Sequence, residues 1–138
     1  MMKLSKKTEY GIWALRYISS LEAGRVATVR EIAEQYQIPQ QLLAKILQEL
    51  TKTGIIRSVQ GAYGGYVLNL AARDVSLADI VQAIEGPIRL TECEDEEHNC
   101  DRAEICDLKE TFGPIQKQLV SYFKNITLAD LCSVATTL

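Results

Sequence analysis

Residues 28–70 place two short helical faces on either side of Ile38-Pro39 and follow them directly with two β-rich runs joined by glycines, an order that few folds accommodate. Thr28-Val29-Arg30-Glu31 has the spacing of a capping box, in which an N-cap hydroxyl and an acid three residues on satisfy each other's backbone amides. Ile32, Ala33 and Tyr36 then supply a brief apolar face. Ile38-Pro39 breaks the period. Leu43, Ile46, Leu47 and Leu50 resume it at i, i+3, i+4 and i+7 until Gly54 closes the segment. The runs 55–59 and 66–70 are rich in β-branched or aromatic residues, and the link Gln60-Gly61-Ala62-Tyr63-Gly64-Gly65 carries three glycines, which predicts a hairpin. Helix, tight turn, helix and hairpin together predict a winged helix-turn-helix.

Tyr10, Ala14, Tyr17, Ile18 and Leu21 share one helical face, so a first helix is expected from about Lys6 to Glu22, with Gly24 as its stop. Ser76-Leu77-Ala78-Asp79 reads as another cap, followed by Leu77, Ile80, Val81 and Ile84 on one face before Gly86-Pro87. Farther on, Leu108, Phe112, Ile115, Leu119, Tyr122 and Ile126 alternate steps of four and three, the seam of packed helices, which implies a partner helix. Gly113-Pro114 interrupts this run and predicts either a kink or a main helix that begins with Pro114. Thr127-Leu128-Ala129-Asp130 starts a short final helix.

The expected fold is mainly α with a small β-hairpin: a winged helix-turn-helix plus a long dimerisation helix. At 138 residues and 47% hydrophobic content, one core is expected rather than two. Residues 1–75 would form the DNA-binding region, and 76–138 the cysteine loop and dimerisation helices. No linker or repeat separates them, so they should pack as one integrated domain. No apolar run is long enough for a signal peptide or a membrane span, and a cytoplasmic location without membrane contact is expected.

The net charge of −3 hides an asymmetry. Residues 1–75 carry ten Lys and Arg against six acids, and residues 76–138 carry five against twelve. The basic half can attract phosphates while the acidic half must point away from a duplex. An ordinary solvated surface is the plain alternative.

The acidic half holds Cys93, Cys100 and Cys106 at C-x6-C-x5-C spacing. Between Thr91 and Asp107 lie eight acids and one base, Arg102. Carboxylates this close oppose further negative charge on sulfur, so bare thiolates are disfavoured and a bound metal or iron-sulfur cluster would supply the missing positive charge. In a reducing compartment clustered cysteines bind metal or sense redox state more often than they pair as disulfides. Cys132, flanked by Leu131 and Val134, reads as a buried small hydrophobe outside this set.

In a helix-turn-helix the second helix offers its outward residues to base edges. Here these are Gln40, Gln41, Ala44, Lys45 and Gln48. Gln can bond adenine through two contacts, and Lys can reach guanine or a phosphate. A protein-binding helical module would show a similar polar face. The glycine-rich tip favours DNA, since backbone amides without side chains can approach phosphates or a groove edge. Thr28, Arg57, Gln60, Tyr63, Gly64 and Gly65 complete the candidate DNA-binding set.

Several linked motifs resemble the IscR/NsrR/RirA group of bacterial regulators, the Rrf2 family, over nearly the whole chain. They are Lys3-Leu4-Ser5, Glu9-Tyr10-Gly11, Ile38-Pro39 leading into Leu43-Ala44-Lys45-Ile46-Leu47, Gly54 through Gly61, Gly64-Gly65-Tyr66, Ser76 through Ile80, Glu85-Gly86-Pro87 and the three cysteines. The resemblance implies a homodimer that binds a near-palindromic double-stranded operator as a repressor, with affinity set by a 2Fe-2S or 4Fe-4S cluster on the cysteines. It also implies a sensor of iron-sulfur status or of oxidative and nitrosative stress.

Two departures bear on mechanism. Relatives often carry Arg where Gln60 stands, placing a guanidinium in the minor groove, and some carry Glu in place of Ala44, so a different operator is expected. IscR-like relatives have a His where this chain has Lys109. NsrR-like relatives instead use an acid at the position of Glu9, contributed by the partner subunit, which makes Glu9 the first candidate for the fourth ligand. A solvated acid at the positive end of a helix is its plain alternative, and His98 is the other candidate.

Two further readings compete: a structural zinc on the three cysteines and His98, and a cluster carrier that never touches DNA. The residues do not favour an enzyme, because no Ser or Cys is paired with a plausible histidine base and no phosphate-binding loop opens a helix. No small-molecule substrate is expected. The acid run also lacks the alternating ligands and central Gly of an EF-hand.

Overall fold

The computed structural model of the protein describes residues 3–90 and 107–137. Helix α1 spans Lys6–Ser20, where Ser5 caps the start by accepting the Thr8 amide on its hydroxyl at 3.2 Å. It stops two residues short of the expected Glu22, with Leu21 already extended. Helix α2, Val29–Tyr36, opens on the expected capping box between Thr28 and Glu31. Its end comes before the Ile38-Pro39 break. Gln37 takes a left-handed conformation at φ 55, and its amide bonds the Ala33 carbonyl. Helix α3 follows over Gln40–Lys52, with Pro39 at its N-cap.

Strands β1, Ile56–Val59, and β2, Gly65–Leu68, pair antiparallel with Ile56 opposite Leu68 and Val59 opposite Gly65. Each is shorter than the run that predicts it. Ile55 instead links the end of α3 to the hairpin base, donating to Leu50 at 3.2 Å and accepting from Asn69 at 3.0 Å. A 3₁₀ turn, Ala72–Asp74, leads to α4, Leu77–Glu85, capped by Ser76 and Asp79 and ended at Gly86 with φ 89.

Helix α5 spans Leu108–Asn125 and α6 spans Leu128–Thr137. Thr127 and Asp130 bond each other's amides at the start of α6, as the sequence predicts. The alternative in which the main helix begins at Pro114 is corrected: α5 runs through Pro114. Proline has no amide to offer the Glu110 carbonyl four residues back, but both residues are exposed, so water can take that bond.

The core forms where α1, α3 and α4 meet, with Leu15, Ile46, Leu47, Leu50 and Ile80 fully buried. Helix α4 packs on α1 and α3 on one side and on α5 on the other. The starts of α4 and α6 are stitched together by Leu77 donating to Ile126 at 2.7 Å and Leu128 donating to Val75 at 2.8 Å. That places Leu128 in the same core. No described helix is long and apolar enough to cross a membrane.

Candidate nucleic-acid interface

Helix α3 is two-faced because its apolar residues recur at helical spacing. Leu43, Ile46, Leu47 and Leu50 are buried, while Gln40, Gln41, Lys45 and Gln48 are exposed and Ala44 is half-buried. Gln41, Lys45 and Gln48, at i, i+4 and i+7, form one outward row of hydrogen-bonding groups. The row carries no acid. Glu49, the acid of this helix, faces Lys7 on α1 with 3.4 Å between Nζ and Oε1. Lys45 and Arg57 take part in none of the ion pairs among the described residues, so both charges remain available to phosphate.

The hairpin is fixed to the start of α2. Ala27 and Tyr66 exchange backbone bonds of 2.9 and 2.7 Å, and a Cβ on Gly65 would overlap the Ala27 carbonyl. Only glycine permits this approach. The bridge ties the turn-proximal end of β2 to the residue before Thr28, whose hydroxyl already accepts the Glu31 amide at 3.1 Å. Glu31 is itself held by Tyr17 at 3.0 Å and Arg25 at 3.1 Å. Burial and the Glu31 carboxylate raise the Tyr17 pKa above its ordinary value. In the adjoining turn, Gln60 and Tyr63 are exposed, the latter at 93%. The α2 start, α3 and the wing are thus joined through short backbone links into one unit carrying every candidate DNA-binding residue.

The candidate metal ligands divide. Cys93, Cys100, Cys106 and the alternative His98 lie outside the described residues. Glu9 stands in the first turn of α1 with its side chain 45% exposed and its Oε2 3.3 Å from Lys6 Nζ. Among the described residues no group of three His, Cys, Asp or Glu is placed to hold a metal ion. Cys132 is half-buried rather than buried, with its thiol 3.0 Å from Ser19 Oγ. The periodicity of α6 could not show this contact, because Ser19 belongs to α1.

One feature with no signal in the sequence holds the segment before the first cysteine. The side-chain amide of Gln116 on α5 accepts from the Leu90 amide at 2.7 Å and donates to the Ile88 carbonyl.

Residues 4–134 match the family described as Rrf2, iron-dependent transcriptional regulator. The chain belongs to the Rrf2 family. Among solved structures it is similar to CymR (YrzC), the global cysteine regulator of B. subtilis, at 27% identity over 97% of this chain and 98% of that one, with a TM-score of 0.76. It is similar to T. potens IscR at 26% identity, over 97% of this chain and 88% of that one, with a TM-score of 0.74. The oxidized form of Staphylococcus aureus CymR aligns at 27% identity over 95% and 96%, with a TM-score of 0.71. As an Rrf2 protein, the chain is a winged-helix DNA-binding transcriptional regulator and not an enzyme. The carrier reading, in which DNA plays no part, is thereby set aside.

Proposed function

We propose that this Rrf2 protein binds a near-palindromic operator as a homodimer and represses transcription, with the occupancy of an iron-sulfur cluster setting its affinity. Residues 1–75 would read DNA, and residues 76–138 would carry the cluster ligands and the dimer helix. The observation that carries the DNA part is the outward row Gln41, Lys45 and Gln48 on α3, backed by a fully buried row. Thr28, Gln40, Arg57 and the wing residues Gln60, Tyr63, Gly64 and Gly65 would position the dimer on phosphates and the neighbouring groove.

Cys93, Cys100 and Cys106 would hold the cluster together with Glu9 of the partner subunit. The donor set fits: three thiolates suit iron, and the Glu9 carboxylate is half-exposed with only a surface pair to Lys6, which costs little to release. When bound, the cluster supplies the positive charge that lets three thiolates persist among eight acids. The bonds of Gln116 to Ile88 and Leu90 would transmit any pull on that segment to α5. Iron-sulfur status and oxidative or nitrosative stress are the signals this chemistry would report.

The test is anaerobic purification followed by iron, sulfide and zinc analysis, with operator affinity measured across a salt series. Visible absorption, iron with sulfide, and affinity that falls steeply with salt are expected. Replacing the three cysteines by Ser should abolish the absorption and change the affinity. Stoichiometric zinc without sulfide would overturn the cluster. The likeness to the global cysteine regulator of B. subtilis favours a second reading, in which the same body answers to cysteine supply without a metal. That reading requires the triple Ser protein to bind the operator unchanged.

A further inference from the structure

The wing ends in a side chain that folding does not explain. Tyr63 is 93% exposed, more than any other large hydrophobic residue among those described. An amphipathic ring left in water at a defined position is what interfaces use, because it supplies contact area and a hydroxyl at low entropic cost. The tip around it is closely determined. Gly61 has φ 118, Gly64 donates to the Gly61 carbonyl at 3.0 Å, and a Cβ on Gly64 would overlap the Val59 carbonyl. Just after the turn, Tyr66, three residues from Tyr63, is clamped to Ala27. Tyr63 therefore stands at the end of a short, fixed arm anchored beside Thr28.

The tip is also uncharged. From Gln60 to Tyr66 there is no Lys, Arg, Asp or Glu. A guanidinium is drawn into a narrow groove by its negative potential, and this tip has no such attraction. It has a flat ring and a hydroxyl that both donates and accepts. The minor groove, about 6 Å wide, shows only the acceptors adenine N3 and thymine O2 at an A·T pair, whereas guanine adds an amino group that projects into it. A phenol entering edge-on finds acceptors over A·T and a blocking amine over G·C.

We propose that Tyr63 is a specificity-determining residue that selects A·T pairs through the minor groove beside each half-site. Its hydroxyl donates to adenine N3 or thymine O2. This rests on the operator-binding reading above and adds to it the base class that Tyr63 selects and the hydroxyl contact by which it does so. Gln60, next to the tip, lacks the ring that makes the guanine amine a steric block.

The experiment is selection from a random duplex library by the purified full-length protein and by Tyr63→Phe and Tyr63→Ala, followed by binding to the selected site with base analogues. Inosine·cytosine keeps the minor-groove face of A·T. Diaminopurine·thymine adds the 2-amino group while leaving the major groove as it was. The parent protein should select A·T at positions flanking those read by α3. It should tolerate inosine·cytosine there within about twofold and lose roughly tenfold with diaminopurine·thymine, the scale of one good base contact. Tyr63→Phe should bind the A·T site several-fold more weakly yet still reject the amine. Tyr63→Ala should lose the flanking preference and keep the inner one. At 93% exposure neither change should move the melting temperature.

Selection by Tyr63→Ala identical to that of the parent, or parent binding indifferent to diaminopurine, overturns the assignment and leaves operator binding standing. Failure of the parent protein to retain any duplex overturns both.

Discussion

Gly11 on α1 and Ile84 on α4 meet so closely that a Cβ on Gly11 would overlap Ile84 Cδ1 and come within 3.4 Å of Ile46 Cγ2 on α3. Glycine at this point is what lets the three helices that carry the candidate cluster ligand, the candidate recognition residues and the junction to α5 share one crossing. The conflicting atom is the end of a flexible side chain, so Gly11→Ala sets a modest overpacking cost against a helix-propensity gain of about 1 kcal/mol. Gly11→Ala should therefore change unfolding free energy by less than about 1 kcal/mol, whereas Gly11→Val should cost about 2 kcal/mol. In an Ile84→Val background, which removes Cδ1, Gly11→Ala should become stabilising. Urea denaturation of the parent, Gly11→Ala, Gly11→Val, Ile84→Val and the Gly11→Ala/Ile84→Val double variant checks this, and strict additivity in the double variant would show that the two residues do not compete for space.

The Tyr17 hydroxyl donates to Glu31, the residue that also caps α2, so loss of this bond should loosen the start of the helix-turn-helix. Tyr17→Phe should cost about 1 kcal/mol near neutral pH. Because the folded-state pKa of Tyr17 is raised, chiefly by burial and next by Glu31, the neutral phenol is the form the fold prefers. Its contribution is complete below the unfolded value of about 10 and is lost as pH rises through the folded value. The stability gap between the parent and Tyr17→Phe should thus shrink above pH 10, as measured by chemical denaturation at stepped pH. A gap that stays constant or widens would contradict the raised pKa.

What could be read in advance follows the range of each interaction. The boxes Thr28/Glu31, Ser76/Asp79 and Thr127/Asp130 each span three residues, and all three are present. The wing was legible because the turn around Gly61 and Gly64 demands glycine. The start of α5 was not, because local propensity puts Pro114 at a helix start while exposure of the freed carbonyl makes an interior proline tolerable. Lys7 with Glu49, Ser19 with Cys132, and Gln116 with Ile88 join residues 42, 113 and 28 positions apart, which no periodicity registers. The three cysteines stand out by spacing and charge alone. Their arrangement lies beyond the described residues, whereas Glu9 is placed on α1.

Gly65 should be less forgiving than Gly11. A Cβ there meets the Ala27 carbonyl and its carbon at 2.8 Å, and backbone held by two hydrogen bonds cannot step aside as a side-chain terminus can. Gly65→Ala is expected to break the Ala27–Tyr66 bridge and free the wing from α2. Operator affinity should fall at least tenfold, with stability reduced by about 1–3 kcal/mol. Amide exchange at Ala27 and Tyr66 gives the direct readout: protection retained at both would show that the clamp survives.

Helix α5 buries none of its residues fully, although its apolar positions recur as in packed helices. Helix α4 covers one side, and Leu108, Ile115 and Tyr122 stay 49%, 46% and 65% exposed. Seven-residue steps place them about 10.5 Å apart along the helix. The stripe drifts by about 20° per step, the drift that two helices absorb by winding left-handed around each other. A second copy of α5 is the occupant that fits such a repeat, and two copies would set the spacing of two recognition helices. Ile115→Glu puts a carboxylate into the middle of the stripe. Because Ile115 is open in a single chain, the variant should fold with a change of no more than about 0.5 kcal/mol. It should sediment as a monomer under conditions in which the parent is expected to form the proposed dimer, and should bind a single half-site with the same affinity as the parent while losing the gain from joining two half-sites. A variant that remains dimeric with an unchanged dissociation constant would remove α5 from the interface, and the alignment of the recognition helices would then need another cause.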